Sequence, residues 1–177
     1  MKVILIGATT ICGRISPVGY GSLLDRRRLE EIRDETQASI MGANTLRKEN
    51  PEMRGTNGSL DPGRIRAIIS QSGNIPVTGK KLFMHDPSPV IFTANENVSE
   101  LRDKLQENAM VVGLPAGKHG LSMQAALDFF RGNEVESVLI EGGAHLNYAA
   151  LADGVVDEIM LTIMPFVSGE QDGASFA

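Results

Sequence analysis

The stretch Val138–Asp157, VLIEGGAHLNYAALADGVVD, decides the fold of this sequence. Its first three residues are apolar and mostly β-branched, which is typical of a strand buried on both faces. Gly142 and Gly143 then permit a sharp turn of the backbone. Residues 144–152 carry apolar side chains at helical spacing, and Gly154 follows them as a typical helix end. The stretch therefore predicts a strand, a glycine turn, a helix and the start of another strand.

The glycine turn is a candidate site for a phosphate. A helix that opens directly after glycines presents free backbone N–H groups at the positive end of its dipole. Glu141 ends the strand, at the edge where α/β sheets bind ligands. The alternative is a plain strand-to-helix turn with a solvated Glu141. Spacing alone leaves both readings open, because a single Gly-Gly pair is a weak signal.

Outward from this stretch, the sequence alternates between short apolar strands and amphipathic helices. The other predicted strands cover residues 2–6, 38–41, 65–69, 89–92, 109–112 and 155–167. The other predicted helices cover residues 25–36, which Asp25 would cap, then 98–106 and 122–131, with a short helical turn near 45–49. Such alternation predicts an α/β fold of three layers, α/β/α, around a mostly parallel central sheet.

Composition excludes several classes of function. The net charge of −5 and the absence of Trp argue against a nucleic-acid or membrane-surface binder. Neither a signal peptide nor a membrane-spanning apolar run is found, so we expect a cytoplasmic protein. Cys12 is the only cysteine, which rules out an intrachain disulfide and a cysteine zinc site. His85, His119 and His145 match no metal spacing, and no metal is expected.

Four motifs, in this order and spacing, resemble one family. They are Gly7–Ile15, Ile40–Pro51, Arg66–Pro76, and Leu139–Gly143 with Val156–Glu158. The sequence resembles the pyrimidine reductases of riboflavin biosynthesis, which form the reductase half of the bacterial deaminase–reductase. The resemblance covers Met1 to about Gly169. It implies a dihydrofolate-reductase-like fold and one reductase domain over residues 1–177.

The resemblance also implies a reaction and a cofactor. NADPH would deliver a hydride to the ribose C1′ of a phosphoribosylamino-pyrimidine, which becomes the ribityl form. The family's cofactor-binding positions correspond here to Ala8, Thr45, Glu49, Gln71, Gly142, Gly143, Ala144, His145 and Leu146. Without the resemblance, Ala8 is a small core residue and Glu49 is a solvated carboxylate at a helix end.

On the substrate side, the matching positions are Ser22, Arg33, Met53, Arg54 and Glu141. Glu141 is the candidate catalytic residue and would accept hydrogen bonds from the pyrimidine or its amino group. Arg54 would bind the substrate phosphate, to which a bidentate guanidinium is well suited. For Arg33 the residues alone allow another reading, an exposed helix arginine paired with Glu30.

The sequence departs from the family at Cys12, in a short loop before Asp25 that has no Trp, and at its C-terminal end. Cys12 replaces the Asp that usually precedes the glycine of the first motif, and a thiol is mostly neutral near pH 7. Family members also continue with a further strand or hairpin, so either this is a shortened relative or a partner chain closes the sheet edge. The long last strand, with Ile159, Leu161 and Ile163 on it, favours pairing. We therefore expect a homodimer.

Two alternative functions stay open at this point. One is a related reductase of another heterocycle, including dihydrofolate, although the absence of Trp speaks against a true folate reductase. The other is a non-catalytic, nucleotide-binding relative that keeps the fold. Binding of NADPH without turnover would favour the second alternative.

Overall fold

The structure, a computed structural model, describes residues 1–15, 22–169 and 174–176. The strands are β1 (Lys2–Thr10), β2 (Ala38–Gly42), β3 (Ile65–Ser70), β4 (Val90–Ala94), β5 (Met110–Leu114), β6 (Ala116–Gly117), β7 (Gly120–Leu121), β8 (Ser137–Ile140) and β9 (Glu158–Met164). The α-helices are α1 (Leu23–Glu35), α2 (Ala43–Glu49), α3 (Val98–Leu105), α4 (Met123–Gly132) and α5 (Ala144–Ala152). In this part of the chain, no helix has the length and apolar character needed to cross a membrane.

Seven strands form one sheet in the order β5-β4-β3-β2-β8-β1-β9, while β6 and β7 make a separate small hairpin. Every neighbouring pair in the large sheet is parallel. The predicted α/β class and the mostly parallel central sheet are therefore confirmed. The stretch Val138–Asp157 supplies β8 and the helix α5 that follows it. β8 lies inside the sheet, between β2 and β1.

The core consists of two layers, one on each face of the sheet, because strand side chains alternate. On one face, β1 contributes Val3 and Leu5 to a cluster that includes the buried residues of α4 and α5. On the other face, Ile4 and Ile6 of β1 pack with Ile32 of α1. Buried residues of α2 and α3 form a further cluster with β3 to β5. Helices thus cover both faces, as a parallel sheet requires.

Two strand boundaries differ from the sequence predictions. β1 continues past Ile6 to Thr10, because β9 pairs with it along its whole second half, from Gly7 opposite Leu161 to Thr10 opposite Met164. The predicted strand ends at Ile6, but pairing with a neighbouring strand keeps the small residues after it extended. β9 is in turn shorter than the predicted strand 155–167.

The start of α1 also differs from the prediction. Ser22, not Asp25, caps the helix, and its hydroxyl accepts the backbone N–H of Asp25 at 3.0 Å. Asp25 lies in the first turn, where its carboxylate accepts a hydrogen bond from Thr162 of β9 at 2.6 Å. Sequence alone could not separate these roles, because Ser and Asp are both strong N-cap residues.

Candidate active site

The site lies at the carboxyl edge of the sheet, where its topology reverses. β1 and β2 follow each other in the chain but are separated in space by β8. From β2 the chain proceeds outward to β5, and it then returns to insert β8 and to add β9 beyond β1. Ligands of open α/β sheets bind at such a switch point, outside the carboxyl ends of the strands. Here the ends of β1, β2 and β8 define it.

The glycine turn after β8 touches the start of α2. Gly142 and Gly143 have φ values of 98° and 100°, which residues with side chains rarely adopt. The Gly42 N–H donates to the Gly142 carbonyl at 3.0 Å. A Cβ on Gly143 would stand 3.4 Å from the Thr45 hydroxyl and 3.6 Å from the Gly42 Cα. Glycine is thus favoured here by the backbone conformation, whereas a Cβ at position 143 would make ordinary van der Waals contacts with the start of α2.

The first turn of α5 is open to an anion. Gly143 is its N-cap and has no side chain to cap the helix, and the backbone bond from the Asn147 N–H to the Gly143 carbonyl closes the first turn at 3.0 Å. The amides of Ala144, His145 and Leu146 precede that bond and have no acceptor within the helix. This donor set and the glycine cradle fit the pyrophosphate of a dinucleotide. The structure brings these residues together with Thr45.

The remaining cofactor candidates lie on β1, directly after β3 and at the end of α2. Ala8 is inside β1, three residues beyond Leu5, which is level with the end of β8 at Ile140. By alternation its side chain lies on the α1 face of the sheet. Gln71 directly follows β3, and its carbonyl accepts a hydrogen bond from Asn97 at 2.8 Å. Glu49 is exposed at the far end of α2, about 9 Å of helix rise from its start.

Glu141 forms a buried ion pair with Arg33 of α1. Nε and Nη2 of Arg33 donate to the two carboxylate oxygens of Glu141 at 2.9 and 2.6 Å, and Nη1 donates to the Arg54 carbonyl at 2.9 Å. The side chains are only 9% and 2% exposed. The alternative reading of Arg33 as an exposed partner of Glu30 is therefore wrong, since Glu30 pairs with Arg26. Breaking such a pair from one side costs about 3–5 kcal/mol.

The electrostatics of this pair decide the protonation of Glu141. Burial alone raises the pKa of a carboxyl group. The charge and hydrogen bonds of Arg33 oppose this effect, with help from the Ser39 hydroxyl and the charge of Arg64, and together they lower the pKa of Glu141 below its ordinary value. Glu141 is therefore an anion at neutral pH and acts as a hydrogen-bond acceptor.

The structure places the other substrate candidates differently. The Ser22 hydroxyl oxygen caps α1 by accepting a hydrogen bond from the Asp25 N–H. Arg54 is partly exposed and pairs with Glu52, which also lies 3.4 Å from Lys81. The Met53 side chain is 1% exposed and packs in the core with Leu46 and Ile68, so a contact with substrate there would have to come from its backbone.

Two buried residues at this site were missed by sequence reasoning. Ser39 is fully buried in β2, and Arg64, just before β3, donates a hydrogen bond to it. One signal was present in the sequence, since Ser39 is the polar residue within the otherwise apolar predicted strand 38–41. The partner of that hydroxyl could not be known before the strands were paired.

Cys12 lies on the turn after β1, and its thiol is exposed. Its sulfur is 3.1 Å from the Thr10 hydroxyl and 3.7 Å from the Ser168 hydroxyl. The Thr10 hydroxyl, and then the backbone and hydroxyl of Ser168, lower the pKa of Cys12 to about 7. The thiol is therefore more acidic than an ordinary cysteine, because local donors stabilise the thiolate.

Comparisons with known proteins agree with this architecture. Residues 2–177 match the model of the family described as RibD C-terminal domain. The chain is 29% identical over 177 residues to the 2,5-diamino-6-ribosylamino-4(3H)-pyrimidinone 5′-phosphate reductase of Methanothermobacter thermautotrophicus, covering 96% of this chain and 80% of that protein. A protein of the same name from Aquifex aeolicus is 25% identical over 179 residues, covering 96% and 79%.

Solved structures show the same fold. A pyrimidine reductase-like protein from Corynebacterium diphtheriae superposes with a TM-score of 0.80 at 24% identity, covering 99% of this chain and 79% of that one. A riboflavin biosynthesis reductase of Saccharomyces gives a TM-score of 0.79 at 16% identity, covering 99% and 78%. The dihydrofolate-reductase-like fold implied by the four motifs is thereby confirmed. With a family model that matches from Lys2 to the last residue, the chain belongs to the RibD C-terminal domain family.

Proposed function

We propose that this chain reduces the ribosyl group of a phosphoribosylamino-pyrimidine to the ribityl form, with NADPH as reductant. One observation carries the proposal. At the carboxyl end of β8, consecutive residues supply a buried anionic carboxylate on the α1 face and an open helix N-terminus on the α5 face. A substrate and a dinucleotide bound on these two faces meet at the sheet edge, beside Ala8. The names of the Methanothermobacter and Aquifex relatives support the same reaction.

On the cofactor side, this chain contributes position and charge. NADPH, when bound, supplies the hydride. The amides of Ala144, His145 and Leu146 would hold its pyrophosphate, and the glycines at 142 and 143 leave space for the backbone to approach it closely. Thr45, whose hydroxyl faces Gly143, would donate or accept one further hydrogen bond.

On the substrate side, the chain contributes an oriented anion and a cation near the surface. Glu141 would accept hydrogen bonds from the amino groups of the pyrimidine, while Arg33 fixes its carboxylate plane. The acceptor of the hydride would be the ring-opened imine, in which the C1′–O4′ bond has broken, O4′ carries a proton and C1′ is double-bonded to nitrogen. The hydride would add to C1′, and because Glu141 is held as an anion, the imine nitrogen would take its proton from water. Arg54 is the candidate for the 5′-phosphate, which would compete with Glu52 for its guanidinium.

The deciding experiment uses two substrates separately, the phosphoribosylamino-uracil and its undeaminated diaminopyrimidinone, with NADPH and with NADH. Oxidation of the nicotinamide is followed by its absorbance, and binding of each dinucleotide by fluorescence titration. Turnover of one pyrimidine, with tighter binding of NADPH than of NADH, is the expected result. Binding without turnover would contradict the proposal and favour a reductase of another heterocycle or a non-catalytic relative.

We also propose that the chain forms a homodimer through β9. This edge strand exposes Ile159, Leu161 and Ile163, which alternate along one face and are 50%, 43% and 64% exposed. An exposed apolar edge strand is a template for pairing with another chain. Light scattering at micromolar concentration is expected to give twice the chain mass. A monodisperse monomer would overturn this proposal.

A further inference from the structure

Asn147 of α5 carries a buried side-chain oxygen that has no hydrogen-bond partner. The residue is 2% exposed, and its backbone N–H closes the first turn of the helix on the Gly143 carbonyl at 3.0 Å. Its side-chain nitrogen, Nδ2, donates to the Phe176 carbonyl at 2.9 Å. Among the residues that the structure describes, no donor pairs with Oδ1. A buried acceptor left unpaired is costly, so its position calls for a physical reason.

The Phe176 carbonyl fixes the direction in which the Asn147 amide points. A carbonyl oxygen only accepts hydrogen bonds, so Asn147 must present its NH2 group there and its oxygen on the other side. Phe176 is itself anchored to β1 and to the turn after it. A Cβ on Gly7 would stand 2.6 Å from the phenyl ring, and the Phe176 N–H donates to the Gly13 carbonyl at 3.1 Å. The amide of Asn147 is therefore held from the β1 side.

The unpaired oxygen borders the space above the glycine turn. Oδ1 of Asn147 lies 3.9 Å from the place that a Cβ on Gly142 would occupy. Apart from residues 141–143 themselves, no other heavy atom of the described part of the chain lies within 4 Å of that place. A ligand bound to the open amides at the start of α5 would lie over this space. The acceptor beside it is therefore a second, independent indication of a ligand at this helix N-terminus.

The strand order decides which part of a dinucleotide would lie beside Asn147. β8 is placed between β2 and β1, so the turn after it has two sides. Thr45, at the start of α2, stands on the β2 side. Asn147 is tied through Phe176 to Gly7 and so stands on the β1 side. The proposed reaction joins substrate and dinucleotide beside Ala8, the next residue of β1, so the nicotinamide half would lie on this side.

We propose that Asn147 is a positioning residue for the cofactor, and that its Oδ1 accepts a hydrogen bond from the nicotinamide nucleoside half of NADPH. The donors of that half are its ribose hydroxyls and its carboxamide NH2 group. The inference rests on the proposed function, in which the start of α5 binds the pyrophosphate. The last torsion of an Asn side chain is broad, so Oδ1 can turn toward the donor while Nδ2 keeps the Phe176 carbonyl.

The test compares two ligands in binding titrations that need no turnover. NADPH contains both halves of the dinucleotide, whereas adenosine 2′-phosphate 5′-diphosphate contains the pyrophosphate but no nicotinamide nucleoside. Asn147→Leu removes the amide and is expected to weaken NADPH binding by about 3- to 10-fold, the loss of one neutral hydrogen bond. Affinity for the shorter ligand is expected to stay within about twofold. If Asn147→Leu does not fold, Asn147→Ala removes the same atoms and is expected to give the same result.

Asn133→Ala is the matched control. The Asn133 side chain also donates to a carbonyl, that of Phe129 at 2.8 Å, but it lies at the end of α4. This variant is expected to bind both ligands as the wild type does.

The pattern across the two ligands decides between positioning and a purely structural role. A loss confined to NADPH supports the proposal. Equal losses for both ligands would mean that Asn147 only shapes the turn, and unchanged affinities would mean that Oδ1 meets no cofactor; either result overturns it. A wild type that binds neither ligand overturns the proposed function as well. A selective loss in a protein that reduces no pyrimidine supports the role of Asn147, and the proposed reaction alone then fails.

Discussion

Glu141 is the residue on which the proposed chemistry depends most. It is buried, anionic and held by both nitrogens of one edge of Arg33, a geometry that fixes its plane as well as its charge. An anion so held is suited to accept hydrogen bonds and unsuited to donate a proton. Its neighbour in sequence, Gly142, belongs to the cofactor side, so one peptide bond separates the two halves of the proposed site.

Glu141→Gln is expected to lower kcat by about 10- to 100-fold, because a charge-assisted acceptor contributes about 1.5–3 kcal/mol. NADPH affinity is expected to change by less than about twofold, since the turn at Gly142 remains. Turnover and fluorescence titration measure the two effects. Glu100→Gln, an exposed change on α3 at the other end of the sheet, is the control and should alter neither. Equal loss of turnover and NADPH binding would remove Glu141 from the substrate side.

The same residue predicts how stability depends on pH. Its pKa in the folded protein is lowered, so the ion pair stabilises the fold at pH above the unfolded value of about 4.3 and loses this contribution as pH falls through the folded value. The free energy of unfolding should therefore differ most between wild type and Glu141→Gln at neutral pH. The difference should narrow below about pH 4. Urea unfolding across this range checks it, and a constant difference would contradict it.

Cys12 gives a prediction that is independent of the site. Alkylation of its exposed thiol should follow a midpoint near pH 7, where the Thr10 and Ser168 hydrogen bonds place its pKa. Thr10→Val removes the larger contribution and should move the midpoint toward the ordinary value of about 8.5. Ser168→Ala should move it less. The rate of iodoacetamide labelling measures the midpoint, and identical midpoints in all three proteins would disprove the assigned cause.

At the scale of elements, the starts of α2 and α5 depend on each other. The contact of Gly42 with Gly142 ties the end of β2 to the turn after β8. The Thr45 hydroxyl lies 3.4 Å from the place that a Cβ on Gly143 would occupy, which is van der Waals contact. The two helices thus form one rigid rim around the candidate pyrophosphate site.

Gly143→Ala is expected to destabilise the protein by about 1–3 kcal/mol, because its φ of 100° is strained for alanine. The new Cβ, 3.4 Å from the Thr45 hydroxyl, should also weaken NADPH binding. Gly132→Ala is the matched control: it lies at the end of α4 and its Cβ would meet nothing within 4 Å. That change should leave stability equal or slightly higher. Urea unfolding and fluorescence titration measure both variants, and equal behaviour of the two would contradict the argument.

At the scale of the whole molecule, β5 and β9 form the two edges of the sheet. β9 exposes three large aliphatic side chains, those of Ile159, Leu161 and Ile163. Leu161→Lys places a charge in the middle of this face. If β9 pairs with a second copy, the variant should be monomeric by light scattering while the wild type is dimeric, with its unfolding transition intact. A dimer that persists in Leu161→Lys would place the interface elsewhere.

The sequence by itself determined the class of the fold and the centre of the site. The alternation of apolar strands and helices is a local pattern, and so is the Glu-Gly-Gly turn between β8 and α5. Such patterns can be recognised from residues adjacent in the sequence, without knowing which strands pair. The N-terminal boundary of α1 could not be predicted, because Ser22 and Asp25 are equally suitable N-cap residues. In the structure Ser22 is the cap, and the Asp25 carboxylate instead accepts a hydrogen bond from Thr162 of β9.

Only the tertiary structure decided which charges meet. Arg33 and Glu141 are 108 residues apart, and sequence spacing allowed Arg33 to pair with the nearer Glu30 as well. The continuation of β1 to Thr10 likewise depends on its pairing with β9, which is the last strand of the chain. The physical reason is common to both cases. Burial removes water as the competing partner, so a buried charge or strand edge is satisfied by whichever group the fold brings near, however distant it is in the chain.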